Sequence, residues 1–510
     1  LRSSRRALST RLFLTVWLVY GLHFATNIVR EHYPAFSLAE RGTLRVDPYL
    51  GLHPDLFEIP RRGAFINNNP GASIFAALPY AVARPFVDWV VERAPAGASS
   101  ADSEPEYNDP RPLRRKFFRT VRERGLDLRF GLAAAVIQAL GIAPLGALAV
   151  VVLFGTFRRE GAPEGQAALL SLLFAFATPI FFRSATLNHN LLVAHFALFA
   201  FAVLQRREGA ELTPLRLLGS GVLAGLTVLC DFSGVVPLVA LGLYALAALR
   251  AGGASVRRWG WMIAGGAVPI AGLLAYQAWA FGSPWLPAQH YMPATHLSVR
   301  GWNGFSWPSP ELLLRNLFDP RYGLFAFGPL LLLALGSRWA RPNWPAPAPP
   351  RRQTALVWGI AAGMLLFTSS NQYAHLQWNT GFRMLAVVVP FLFLPTARVL
   401  ATLPRRWAAG LGALAVAHSW CLAMVRQDAI GSVTRVALEG LRLPWLTSLW
   451  RANPAYLPLL ETTGPRAWPF FVLLAVTLWI VWRAAPPSPL TQSPATEGSR
   501  EPGAASAPPR

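Results

Sequence analysis

The sequence is poor in charge and almost without lysine. Only 14% of its 510 residues are charged, and Lys116 is the sole lysine, so arginine carries nearly all the positive charge. A soluble chain of this length needs more charge to cover its surface. Cysteine is scarce as well. Cys230 and Cys421 are the two present, each at the end of or within an apolar run. Their separation excludes a disulfide scaffold and a thiolate metal cluster, and leaves two inert buried thiols. No internal repeat is visible, which counts against a transporter assembled from related halves. The apolar runs are continuous rather than alternating, which excludes a membrane β-barrel.

What remains is abundant apolar chain: 53% hydrophobic residues and a mean hydropathy of +0.35. Runs of bilayer-crossing length, roughly 20 residues, recur throughout. They fall at 12–27, 129–156, 166–183, 187–205, 215–230, 232–250, 259–281, 323–337, 354–370, 382–399, 406–424 and 467–483. The expectation is an all-α polytopic membrane protein with about 12 transmembrane helices. These form a single domain over 1–483, followed by a low-complexity, disordered cytoplasmic tail at 484–510. The basic, apolar N-terminus lacks a small-residue cleavage site and reads as an uncleaved first helix.

The segment 72–91 is apolar but holds Pro79, Arg84, Pro85 and Asp88. Arginine placement decides its topology. If 72–91 does not cross and the N-terminus is cytoplasmic, then Arg158, Arg159, Arg206, Arg207, Arg216, Arg257, Arg258, Arg338, Arg341, Arg351, Arg352, Arg405 and Arg406 all fall in cytoplasmic loops. If it crosses, the positive-inside rule fails loop after loop. We therefore expect 72–91 to be a re-entrant or surface-lying helix within a first outer loop at 28–128. The net charge of +22 is then membrane anchoring, not nucleic-acid affinity. In that loop, 94–110 reads as a flexible acidic stretch, and the basic 111–127 as a juxtamembrane helix on anionic headgroups. A second large outer loop, 283–322, is rich in Trp, Tyr, His and Asn, as an interfacial aromatic belt is.

Chemistry concentrates just after the first span. Residues 27–71 hold Glu31, Asp47, Asp55 and Glu58 beside Arg30, His32, His53, Arg61 and Arg62. Ionisable groups at a membrane boundary are functional candidates by default.

This layout resembles the GT-C superfamily of integral membrane glycosyltransferases, a group that includes protein mannosyltransferases and aminoarabinose transferases. The residues that carry the resemblance are Arg30-Glu31-His32-Tyr33, Leu38 to Tyr49 and Asn69-Pro70-Gly71. Later matches are Ala177-Thr178-Pro179, Gly221 to Asp231, Arg321 to Phe325, and Trp378 to Arg383 leading into Pro390-Phe391. It covers most of 10–400 as architecture, and the last two segments look like those of uncharacterised bacterial relatives. Members carry paired acids early in the outer loop. Here the partner position is Arg30, and the nearest second acid is Glu40 or Asp47. The turn Arg183 to Asn190, where many members hold an acid, has none.

The resemblance implies transfer of a sugar from a polyprenyl-phosphate donor to an envelope glycan, lipid or protein acceptor on the outer face of a bacterial inner membrane. Such chemistry needs a carboxylate base and cations for the departing phosphate. Glu31 is the first choice of base and Asp47 the second, with a turn role before Pro48 set against it. Arg183 and Arg383 are the phosphate candidates, with interfacial snorkelling as their plain alternative. Arg30, His32, His53, Asp55, Asn188, His189, Asn190, Asp231 and Trp378 complete the expected pocket. Asn188 has helix capping as its plain alternative, and Asp231 reads equally as an N-cap. The sequence names no cofactor. A divalent metal at His32 or His53 with Asp47 or Asp55 is the minority reading, since no spacing forces it. Two rival functions are a non-catalytic envelope assembly protein of the same architecture and a lipid-carrier transporter or flippase.

Overall fold

The computed structural model describes residues 2–94, 112–205, 211–344, 349–452 and 464–483. The expected flexible stretch at 94–110 lies outside them except for Ala94, and the expected tail at 484–510 lies wholly outside. The fold is an all-α membrane protein. Six helices are long and apolar enough to cross a bilayer: Gly71–Arg93, Asp127–Arg159, Phe232–Ala251, Val256–Phe281, Arg351–Ser370 and Arg405–Val425. A seventh crossing forms if Gln372–Asn379 and Met384–Leu400, bent by 96°, act as one broken span. Five shorter apolar helices accompany them: Ala7–Leu22, Glu164–Phe176, His189–Leu204, Pro214–Cys230 and Trp468–Arg483.

Several expected spans are remodelled for local reasons. The run expected at 166–183 breaks after Phe176, and Thr178 caps a new short helix, Pro179–Arg183, by accepting the Ile180 N–H. Pro179 fits at such a start because its missing N–H is not needed there. The run expected at 323–337 is not an α-helical span. It holds a four-residue helix, Leu324–Phe327, and then a 3-10 helix, Pro329–Trp339. Gly328 interrupts the two at φ −141°, ψ 64°. The Asp127–Arg159 helix carries a π segment at Gln138–Ile142. The Ala139 carbonyl there accepts the Trp17 indole N–H at 2.6 Å, as π-bulges free backbone groups for outside partners.

The 72–91 segment is one uninterrupted helix, Gly71–Arg93, which carries Pro79 and Pro85 inside it. It does not re-enter. Ile74, Leu78, Val82 and Phe86, spaced by four, form an exposed apolar stripe, while Arg84 and Asp88 pair on another face. The helix packs on the short helix His32–Arg41. Glu40 ties the two together, accepting from the Tyr80 hydroxyl at 2.6 Å and pairing with Arg129 at 3.5 Å. An antiparallel hairpin, β1 (Leu56–Ile59) and β2 (Gly63–Ile66), completes the first loop.

Two helices that the sequence reading left unassigned, Ala429–Glu439 and Pro444–Ala452, follow the Arg405–Val425 helix. The tightest helix pair is Pro214–Cys230 against Gly260–Phe281. A Cβ on Gly221 would lie 2.2 Å from the Met262 carbonyl oxygen, and one on Gly265 would lie 2.2 Å from that of Leu218. Small residues that let backbones approach are the general means of helix association in lipid.

The bundle has two chemically distinct ends. At one, Arg398 pairs with Glu160, Gln353 donates to Glu160, and Arg216 donates to the Val203 and Gln205 carbonyls. The turns and helix ends there carry the arginine clusters expected in the cytoplasm. The other end gathers Glu31, His189, Asp231, Arg183, Arg383 and Arg426.

Candidate functional site

Glu31 sits just before the His32–Arg41 helix and is 3% exposed. A carboxylate this deep needs strong partners. Its Oε1 accepts from His189 Nδ1 at 2.6 Å, Asn68 Nδ2 at 2.8 Å and Arg30 Nε at 3.3 Å. None of these bonds lands on Oε2. Burial alone would raise the Glu31 pKa; the Arg30 and His189 neighbours overcome this and hold it well below the usual carboxylate range. Arg30 also reaches Asp55 Oδ2 at 2.6 Å. Burial likewise opposes ionisation of Asp55, and Arg30 again outweighs it, so Asp55 is held low.

His189 stands at the start of the His189–Leu204 helix because Asn188 caps it, accepting the Leu191 N–H at 3.1 Å. Asn188 is therefore a cap, and its neighbour carries the polar contact. The imidazole lies between two carboxylates: Nδ1 donates to Glu31 and Nε2 faces Asp231 Oδ2 at 3.5 Å. With Nδ1 donating to Glu31, the 3.0 Å approach of Asn68 Nδ2 to that nitrogen is a close packing of two donors that share one acceptor. Asp231 does both things expected of it. Its Oδ1 accepts the Ser233 N–H at 2.8 Å, and its Oδ2 turns to His189. The second acid of the cluster thus comes from a helix junction 200 residues beyond Glu31, rather than from the first loop. Asn190 is buried, and its Oδ1 has no partner.

Other expected residues do different work. Asp47 is not brought to Glu31. Its Oδ1 accepts the Ala64 N–H at 3.0 Å, and Arg45 pairs with it at 3.2 Å, so it fastens β2 to the Asp47–Tyr49 turn. Asp47 also remains half-exposed. His32 Nδ1 accepts the Val29 N–H at 3.0 Å, and burial pushes its pKa down to about 4. It is a neutral turn residue. His53 Nδ1 accepts the Asp55 N–H at 3.1 Å, and burial lowers its pKa. Among the described residues, no group of three or more His, Cys, Asp and Glu side chains is placed to hold a metal ion. The loop histidines and aspartates are turned to backbone and to Arg30 instead.

Arg183 is 3% exposed. Its Nη1 donates to the Thr380 carbonyl at 3.2 Å, and its Nε has no partner. Arg426, Arg383 and Glu31 lie within electrostatic range of it. The Nε of Arg383 is also buried without a partner. Arg426 adopts a left-handed backbone, φ 60°, and lies over the Phe182 ring at 4.4 Å while donating to the Phe182 carbonyl at 2.6 Å. A cavity of about 430 Å³ adjoins this cluster through Phe182 and Thr380, and Trp378 lines it. Glu31 does not. Buried guanidiniums whose donors are left over are costly unless an anion completes them.

The sequence reading missed Asn68 and Arg426. The run Asn67-Asn68-Asn69 before Pro70 was the available signal. Asn68 donates to Glu31, and Asn69 donates to the Val228 carbonyl at 2.7 Å, which seats the loop on the Pro214–Cys230 helix. Gly71 makes the close approach possible, since a Cβ there would lie 2.7 Å from the Leu229 carbonyl. No family model, curated protein or solved structure matches the chain.

Proposed function

We propose that this chain is a membrane glycosyltransferase of the GT-C type, which moves a sugar from a polyprenyl-phosphate donor to an envelope acceptor at the outer leaflet. The observation that carries the proposal is the buried Glu31–His189 contact, set beside the buried Arg183 and the half-buried Arg383, each with an unpartnered Nε, at one end of an apolar bundle. In this reading Oε2 of Glu31, the oxygen left by the three donors, faces the acceptor hydroxyl. The hydroxyl oxygen bonds to the anomeric carbon as the bond from that carbon to the phosphate oxygen breaks. The electron pair leaves with the phosphate, which Arg183 and Arg383 hold. The hydroxyl proton passes to Glu31. A carboxylate held below its usual range is ionised at neutral pH but weakly basic. Transfer therefore follows C–O bond formation, when the attacking oxygen has become strongly acidic. His189, placed by Asp231, keeps Oε1 fixed through the step.

The topology that goes with this has about twelve crossings: the long helices apart from Gly71–Arg93, the broken pair, the five shorter helices and the 3-10 segment. Gly71–Arg93 then lies along the outer surface, its exposed stripe in the lipid interface, and the arginine-rich end faces the cytoplasm of a bacterial inner membrane. A second reading, a non-catalytic envelope assembly protein, draws on the Arg30–Glu31 ion pair, which gives the buried carboxylate a structural use. Envelope glycan profiling of a deletion strain, complemented with wild type or Glu31→Gln, separates the two. The transferase loses one sugar in both the deletion and the Glu31→Gln strain, whereas the assembly protein keeps full function as Glu31→Gln.

A further inference from the structure

We propose that Gln289, in the second outer loop, is a positioning residue for the Glu31 site: its side-chain amide holds the peptide between Asn67 and Asn68, and through it the Asn68 bond to Glu31. The proposal rests on the glycosyltransferase reading, in which Glu31 takes the acceptor proton. Gln289 lies in a one-turn 3-10 helix, Ala288–His290. Its Nε2 donates to the Asn67 carbonyl at 2.7 Å. That carbonyl and the Asn68 N–H share one planar peptide unit. Holding the oxygen holds the plane, and with it the direction in which the Asn68 side chain leaves the backbone. Asn68 Nδ2 then meets Glu31 Oε1 at 2.8 Å.

The asparagine run joins the end of β2 to the start of the Gly71–Arg93 helix. Asn69 is seated on the Val228 carbonyl. On the other side of Asn68, the Asn67 N–H donates to the Asp55 carbonyl at 3.2 Å, and its Nδ2 approaches Met292 Sδ at 3.7 Å, a weak acceptor. The Gln289 bond is the shortest of the three on Asn67. The turn that carries Gln289 is itself packed. Ala288 is buried in an apolar cluster with Phe57 and Phe65 of the hairpin and Tyr276 and Phe281 of the Val256–Phe281 helix. Tyr291 stacks on Phe281, ring centroids 5.4 Å apart. The Tyr373 hydroxyl reaches Met292 Sδ at 3.8 Å, which braces the turn from the Gln372–Asn379 segment. A donor on a packed turn aims more narrowly than one on a free loop. The second outer loop thus reaches the catalytic carboxylate through one backbone carbonyl. A neutral hydrogen bond of this kind changes the population of the aligned run by a factor of about two to ten.

The test compares the full-length wild type with Gln289→Met, which keeps the side-chain length but has no donor, and Gln289→Lys, which restores one. Transfer is measured from a radiolabelled polyprenyl-phosphate sugar to envelope lipid extract, and amide hydrogen exchange is followed over residues 64–70. In Gln289→Met, kcat should fall about two- to tenfold with KM for the donor within about twofold, and exchange at Asn67 should speed up by a similar factor. Gln289→Lys should recover both. Added to Asn68→Ala, Gln289→Met should lower kcat no further, because its effect passes through Asn68. A loss that multiplies in full, a raised KM at normal kcat, or a normal kcat beside faster exchange overturns the positioning role. Unchanged exchange at Asn67 overturns the contact itself. Exchange also separates this proposal from the transferase reading. Normal transfer by Glu31→Gln, beside faster exchange in Gln289→Met, removes the catalytic reading and leaves the hold on Asn68. Lost transfer in Glu31→Gln, beside unchanged exchange and kcat in Gln289→Met, does the reverse.

Discussion

Removing the His189 ring should weaken the fold and, at the same time, loosen the grip on Glu31. In the native protein Glu31 Oε1 holds three donors, the shortest being His189 Nδ1 at 2.6 Å. A hydrogen bond to a charged group contributes about 1.5–3 kcal/mol. His189→Ala should therefore lower stability by roughly that amount, and a Glu31→Gln/His189→Ala cycle should show a coupling of about 0.5–3 kcal/mol. The pH dependence gives a second handle. A carboxyl held below its ordinary value adds stability that is complete above 4.5, the ordinary glutamate value, and is lost as pH falls toward the folded value. His189 is one of the groups that hold Glu31 down. His189→Ala should leave less stability to lose, so its thermal midpoint should fall less steeply than the wild type's on acidification below pH 4.5. Thermal unfolding in detergent between pH 3 and 8 measures both effects. Additive single variants with parallel acid limbs would show that the 2.6 Å contact has no energetic consequence.

Four further outcomes follow from the same geometry. Gly221→Val puts side-chain atoms where the Met262 carbonyl lies 2.2 Å from an added Cβ, so it should cost about 1–3 kcal/mol or more; an unshifted unfolding midpoint would contradict the helix contact. Asn68→Ala should reduce transfer chiefly through the rate rather than substrate affinity, since it removes one of the three donors on Oε1 without touching Arg183 or Arg383, and an altered KM with normal kcat would place Asn68 in binding instead. Asp47→Asn should leave transfer within about twofold, because its bonds go to Ala64 and Arg45; a loss of the 10²–10⁴ expected of a general base would return it to the site. A cysteine at Ser100 should react with an impermeant thiol reagent on intact cells, and labelling only after permeabilisation would send Gly71–Arg93 through the bilayer.

Much of the architecture is legible from hydropathy and arginine placement, because lipid imposes length and charge rules that act locally along the chain. The same rules put Glu31, His189, Arg183 and Arg383 at one end before any coordinate is known. Pairing is different. Nothing near Asn68 announces that its amide meets a glutamate 37 residues earlier, and Asp231 looks like a helix cap because it is one. Asp47 shares a polar loop with Glu31, but its bonds go to the Ala64 N–H and Arg45. Composition cannot say which acid of a loop turns inward, and here the Ala64 N–H decides it. The segment Gly221 to Asp231 enters the sequence analysis only through a resemblance, while the physical meaning of its first glycine, two backbones in contact, needs the partner helix. The 3-10 run at Pro329–Trp339 escaped for a similar reason, since hydropathy does not distinguish one helix type from another.

The most direct test of the central claim is sugar transfer by the purified protein from a radiolabelled polyprenyl-phosphate sugar to envelope lipid extract, comparing wild type with Glu31→Gln and Arg183→Gln/Arg383→Gln. The account predicts transfer by the wild type, a loss of roughly 10²–10⁴ in Glu31→Gln, and a loss at least as large in the arginine pair. Transfer by Glu31→Gln at the wild-type rate would contradict it.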